Sequence, residues 1–223
     1  MSSHLKLEAV SIQQIPDIEV VLAEAKALIE DTQNWREGKT YQGVLTHKKA
    51  ISGPSWHSRT SIHEPQDGTF EDFWNCLGIN HSLNEKEYVP EVNSATLLGP
   101  YAGFEAWTMG YKFTPPVFDR VFTVLIACLL DESNRQGFVI SLPLDVSADQ
   151  GLEAQEPRGV RGHYVSVERV KEIDGKVEWI MATRSSPGGL IPPLLSELAM
   201  PSKICEDVPH VVAWIKAKRT PGA

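Results

Sequence analysis

Arg161-Gly-His-Tyr-Val-Ser-Val-Glu-Arg-Val170 and Gly175-Lys-Val-Glu-Trp-Ile-Met-Ala-Thr-Arg184 each alternate in side-chain character, and Asp174-Gly175 joins them. That dipeptide suits the left-handed backbone of a two-residue hairpin turn, so the two runs read as antiparallel strands. Ser185-Ser-Pro-Gly-Gly-Leu-Ile-Pro192 ends the sheet, and Pro192 and Pro193 suit the first turn of a helix, where no N–H is needed. Ile204, Val208, Val211, Val212 and Ile215 then recur on one helical face. Lys216, Lys218 and Arg219 complement the negative end of the helix dipole. Pro201 and Pro209 fall inside this run, and a kink or restart is expected at 201. A long helix closing over a curved antiparallel sheet encloses an apolar space, which points to a chain that holds a small molecule.

Upstream, Ile15-Pro16-Asp17 opens a helix whose Val21, Leu22, Ala25, Leu28 and Ile29 recur at helical spacing. Residues 34–42 are polar and read as a break. Residues 43–50 and 56–63 are strand candidates separated by Ser52-Gly53-Pro54, a turn signal. Thr69 caps a helix over 69–77, with Asp72 three residues on, and 82–88 reads as a second short helix. Residues 93–100, 104–113, 119–130 and 137–145 read as strands. A bend is expected at Thr114-Pro115-Pro116, and a polar excursion over 146–159. Strands in consecutive runs with helices at the ends indicate an α+β fold with a mostly antiparallel sheet. One domain spans 1–223: a helical segment over 1–40, a sheet over 41–190 with helices inserted at about 69–90, and a closing helix over 191–219.

Composition narrows the function. With 223 residues, 42% of them hydrophobic and 22% charged, the chain suits one large globular domain. The net charge of −8 disfavours nucleic acid and anionic membrane surfaces, both of which select basic patches. Met1-Ser-Ser-His-Leu-Lys has no apolar leader core, and the longest apolar run, 121–130, falls short of the ~20 residues of a membrane helix. Cys76, Cys128 and Cys205 fit buried thiols better than a disulfide framework, so a cytoplasmic location without stable membrane insertion is expected. No HExxH, CxxC, GxSxG, Walker or GxGxxG pattern occurs, and neither metal nor cofactor is expected.

Several motifs carry a resemblance: Trp56-x-x-Arg59-x-Ser61-x-His63, Phe70-x-x-Phe73-Trp74, Asn84-Glu-Lys-Glu-Tyr88, and Pro115-Pro116 followed by Asp119-Arg-Val-Phe122. Tyr164-Val-Ser-Val-Glu168 and Glu178-Trp-Ile-Met-Ala-Thr-Arg-Ser-Ser-Pro-Gly-Gly189 continue it. Together they resemble the START-like branch of the helix-grip superfamily, and more narrowly a group of fungal START-like proteins that implies no activity of its own. The wider family implies a U-shaped antiparallel sheet gripping a long final helix, with a hydrophobic tunnel for sterols, lipids or polyketides between them. Some of its members convert what they bind, so the fold leaves carrier and enzyme both open.

Alternation sorts each strand into two faces. His57, Arg59, Ser61 and His63 share one face; if it is concave, Arg59 and His63 are polar anchors, and otherwise they coat the solvent side. Tyr164, Ser166 and Glu168 share another. A buried Glu168 needs a cation, for which Arg59, Arg120 and Arg184 are candidates; a surface pair would contribute little. The stripes Trp107–Met109–Tyr111–Phe113, Phe122–Val124–Ile126–Cys128 and Phe138–Ile140–Leu142 divide between core and cavity lining. Trp179 and Met181 do the same, and Leu194 and Leu198 on the closing helix complete the expected ligand-facing set. Two functions follow. A binding or transfer protein would orient its ligand with Arg59, His63, Arg120, Glu168 or Arg184. A cofactor-independent cyclase, isomerase or dehydratase would use His63 or Glu168 as acid or base, with Tyr111 or Arg59 stabilising an enolate-like oxygen. A third reading is an interaction module presenting Trp74 and the 69–90 helices.

Overall fold

The computed structural model describes residues 3–114 and 117–219. In chain order the elements are β1 Val10–Ser11, α1 Ile18–Asp31, β2 Arg36–Tyr41, β3 Val44–Lys49, β4 Trp56–His63, α2 Phe70–Leu77 and α3 His81–Tyr88. Then come β5 Val92–Tyr101, β6 Phe104–Tyr111, β7 Arg120–Asp131, β8 Gln136–Asp145, α4 Gln150–Glu153, β9 Val160–Arg161, β10 His163–Ile173, β11 Lys176–Ser186 and α5 Pro193–Arg219. The bend expected at Pro115–Pro116 lies outside the described residues.

The main sheet runs β2-β3-β4-β11-β10-β8-β7-β6-β5, antiparallel throughout, while β1 and β9 add short parallel pairings to β8 and β7. Asp174 and Gly175 both take positive φ, +51° and +76°, as the tight β10–β11 turn requires. The ladder of β11 on β4 joins the carboxy-terminal hairpin to the first three strands, pairing Met181 with Arg59 and Trp179 with Ser61. Thr69 and Asp72 form the reciprocal cap of α2, and Asp17 caps α1 through the N–H groups of Glu19 and Val20.

Each face of the curved sheet has its own apolar layer. On the convex side Val21, Ala25 and Ile29 of α1 pack on Phe138, Ile140, Leu142, Val165 and Ile180. The Phe138–Ile140–Leu142 stripe therefore belongs wholly to this layer. On the concave side α2 and α5 bring Phe73, Trp74, Cys205, Val211 and Ile215 against Val139, Val170 and Trp179.

Two local readings change. The polar stretch after α1 contains a strand, β2, whose residues are nearly all exposed. An edge strand solvated on both faces leaves no alternation to read. In α5 the helix continues through both prolines instead of restarting at 201. Each proline removes a single ladder bond, and the helix keeps its contacts with β4 and α2.

Candidate functional site

Between the concave face and α5 lies a cavity of about 360 Å3, bounded on a third side by α3. Its walls are mainly apolar, with Phe122, Trp179, Met181, Met200 and Ile204 among them. Ser185, Pro187 and Ser196 bound one end. Asp207 lies three turns further along α5, roughly 16 Å at 1.5 Å per residue.

Strand pairing settles which faces look inward. Paired residues in an antiparallel ladder share a face, so Arg59 and Ser61 lie on the side of Met181 and Trp179, which line the cavity. Tyr164, Ser166 and Glu168 face the same way, as do Tyr111 and Phe122.

At the Asp207 end the polar groups gather. Arg59 is wholly buried, its guanidinium stacked 3.7 Å from the Trp179 ring. Its Nη2 stands 3.9 Å from Glu168 Oε2, which accepts a 2.8 Å hydrogen bond from Trp179 Nε1. None of the three Arg59 nitrogens makes a hydrogen bond. The pair is Coulombic contact without directional bonds, inside a region where unpaired charge is costly. From α3, Glu85 accepts a 2.6 Å hydrogen bond from the Tyr111 hydroxyl and lies 3.7 Å from His81 Nε2. Burial raises the Glu85 carboxyl above its ordinary range, with only partial relief from His81 and Tyr111. Asp207 is raised further, to about 7: burial dominates, Arg59 opposes it, and the charges of Glu168 and Glu85 add to it. The hydroxyls of Tyr88, Tyr111 and Tyr164 are all pushed upward, chiefly by burial and next by the charge of Glu85.

Of the residues singled out from sequence, Tyr111, Phe122, Ser166, Glu168, Trp179 and Met181 stand on the cavity wall, with Arg59 directly behind Trp179. The others stand off it. His63 is buried beyond Trp179, hydrogen-bonded to Ser61 Oγ at 2.8 Å and 4.6 Å from the Phe73 ring. Burial lowers its pKa to about 4, so it is a neutral core imidazole. Trp107 and Met109 point to the concave side but are covered by packing, Trp107 donating to Glu105 at 2.9 Å. Arg120 serves the rim, donating to the carbonyls of Pro187 at 2.7 Å and of Phe118. Arg184 is on the convex side, bonded to the Ser52 carbonyl and near the Trp56 ring. Leu194 and Leu198 face outward, 69% and 67% exposed, while Ser196, Ala199 and Met200 take the inner side of that turn.

Sequence reasoning passed over Glu85, Tyr164 as a wall residue, and above all Asp207. A signal for Asp207 exists: it falls three residues after Ile204 and four before Val211, an acid in the middle of the apolar stripe of α5.

The first turns of α5 are held by one side chain. Glu197 accepts hydrogen bonds from the Ser55 N–H at 2.7 Å and Lys48 Nζ at 2.8 Å, and His57 Nε2 lies 3.4 Å away. Burial would raise this carboxyl, but Lys48 and Ser55 outweigh it and hold it at about 2.

Among solved structures, human STARD10 superposes with a TM-score of 0.75 at 13% identity, covering 96% of this chain and 86% of its own. Human StAR-related lipid transfer protein 5 gives 0.75 at 13%, covering 91% and 96%. A STAR-related lipid transfer protein from Xanthomonas axonopodis gives 0.65 at 13%, covering 82% and 98%. No curated protein matches by sequence. Residues 56–215 match the family model described as protein of unknown function DUF3074. The chain is therefore a member of the DUF3074 family, built on the START-type helix-grip fold.

Proposed function

We propose that this protein binds an amphiphilic small molecule in the cavity between its sheet and α5, and releases it through the end bounded by Pro187 and Ser196. The observation that carries this is a mainly apolar cavity of about 360 Å3 whose wall includes Glu85, Glu168 and Asp207. Pockets of this size and lining suit small ligands. Burying about 300 Å2 of apolar ligand surface would contribute roughly 7 kcal/mol before the costs of association. The test is native mass spectrometry of freshly purified protein, followed by extraction of what it carries. A near-stoichiometric hydrophobic molecule is the expected result. Protein that is empty, and that also fails to take up a neutral apolar dye, would remove this reading. Met181→Trp should fill the cavity and lower dye uptake at least about tenfold while leaving the melting temperature within a few degrees.

Exchange would be eased by movement of the first turns of α5, where the helix has a natural joint. Pro201 cannot donate to the Glu197 carbonyl, so the turns before it are coupled to the rest by fewer bonds. Leu190, Leu194, Leu195 and Leu198 are all largely exposed there, and Glu197 fastens the segment to β3 and to the turn before β4. Glu197→Ala should accelerate dye release several-fold and raise hydrogen exchange over 193–200 ahead of the rest of α5. Unchanged release would mean that the ligand leaves elsewhere.

A catalytic reading of the same cavity rests on Asp207, whose midpoint near neutrality suits proton transfer. It would act with the Glu85–Tyr111 pair on a bound cyclisable or dehydratable intermediate. Recovery of only unaltered ligand after prolonged incubation would count against it.

A further inference from the structure

The wall of the cavity is electrostatically lopsided. Glu85 on α3, Glu168 on β10 and Asp207 on α5 approach from three elements, near enough for the charges of the first two to act on the third. Asp207 forms no hydrogen bond or ion pair among the described residues, and its carboxylate opens into the cavity. Lys203 also lines the wall, but it is committed to Glu206 at 2.7 Å and stands 3.7 Å from Glu91. His81 donates to the Leu77 carbonyl through Nδ1 and meets Glu85 through Nε2.

Aromatic rings surround the same acids. Tyr111 meets Phe122 edge-on at 5.3 Å, Phe122 meets Tyr164 at 5.5 Å, and all three line the cavity with Tyr88. Carboxylates beside aromatic faces, out of bulk water, attract cations through charge and ring quadrupole together. The fold already contains such an arrangement in miniature. Arg59 is a wholly buried cation with no hydrogen bond, laid on the Trp179 indole and directed at Glu168. Beyond Trp179, on the open side, acids and rings recur and the space between them is free.

We propose that the ligand carries a protonated nitrogen on a hydrophobic body, with the nitrogen seated where Glu85, Glu168 and Asp207 meet the rings of Tyr88, Tyr111 and Tyr164. This names the ligand class of the binding function proposed above and rests on it. An anionic head group would add to three carboxyl groups opposed by Arg59 and be repelled. A metal ion fits less well, because among the described residues no three His, Cys, Asp or Glu side chains are arranged to hold one.

The test compares decylamine, decanol and decanoate as competitors of a bound neutral fluorescent dye at pH 8. Decylamine should compete at least about tenfold more tightly than decanol, and decanoate more weakly than either. In Asp207→Asn the amine-to-alcohol ratio should fall toward one. Equal or reversed ranking in the wild-type protein overturns the amine assignment and leaves the cavity as a binding site. Dye that never enters, or that none of the three displaces, overturns the binding function itself. An unchanged ratio in Asp207→Asn, with the wild-type ranking as expected, overturns the placement of the nitrogen at Asp207.

Discussion

Arg59→Met is expected to lower the free energy of unfolding by about 3–5 kcal/mol, the usual cost of stranding one member of a buried ion pair. The reason is local. Glu168 keeps its bond from Trp179 Nε1 but loses the cation 3.9 Å away, in a region where Arg59 itself has no exposure. Most of that loss should return in the double variant Arg59→Met, Glu168→Gln, because an amide needs no counter-charge and methionine can lie along the indole as the guanidinium did. Chemical denaturation of the four proteins in the cycle measures this directly. A single variant as stable as wild type would mean that the cavity solvates Glu168 well enough to do without its partner.

Asp207→Asn should move stability the other way, by an amount that grows as pH rises from about 4 to about 7 and then levels off. The carboxyl has a folded midpoint of about 7 against an ordinary 3.8. Between those values the folded state holds a proton that the unfolded state has lost, so stability falls as pH rises through this window. Asparagine removes that loss, worth on the order of 2–4 kcal/mol at pH 8 and nothing near pH 3. His63 works against Asp207. Its folded midpoint of about 4 lies below the ordinary 6.5, so stability is lost as pH falls across that interval. The two slopes overlap between about 4 and 6.5 and oppose each other there. Wild-type melting temperature should therefore vary little across that range, while Asp207→Asn should reveal a drop on acidification. A mutant profile parallel to wild type would refute the raised midpoint of Asp207.

The fold was readable because its deciding signals are short-range. The Asp174–Gly175 turn, the Thr69–Asp72 cap and the stripe from Ile204 to Ile215 each depend on neighbours a few residues apart. What escaped was set by distant partners. Alternation divides His57–Arg59–Ser61–His63 from its opposite face but does not say which is concave; that follows from the register with Trp179 and Met181. The same limit left the Phe138 stripe undivided between core and cavity lining, since its face is decided by α1 lying against it. His63 was a reasonable acid–base candidate by type, and its burial against Phe73 is a tertiary fact. Asp207 was legible in principle, as the one acid inside an apolar helical stripe.

The seam between β4 and β11 has a consequence for how the chain comes into being. About 110 residues separate the end of β4 from the start of its partner, so at 5–20 residues per second β4 waits on the order of 5–20 s for it on the ribosome. Throughout that interval the Trp56–His63 strand presents an unpaired edge and an arginine with nothing beneath it. During synthesis a chaperone holding the first three strands would therefore cover this edge until β11 arrives.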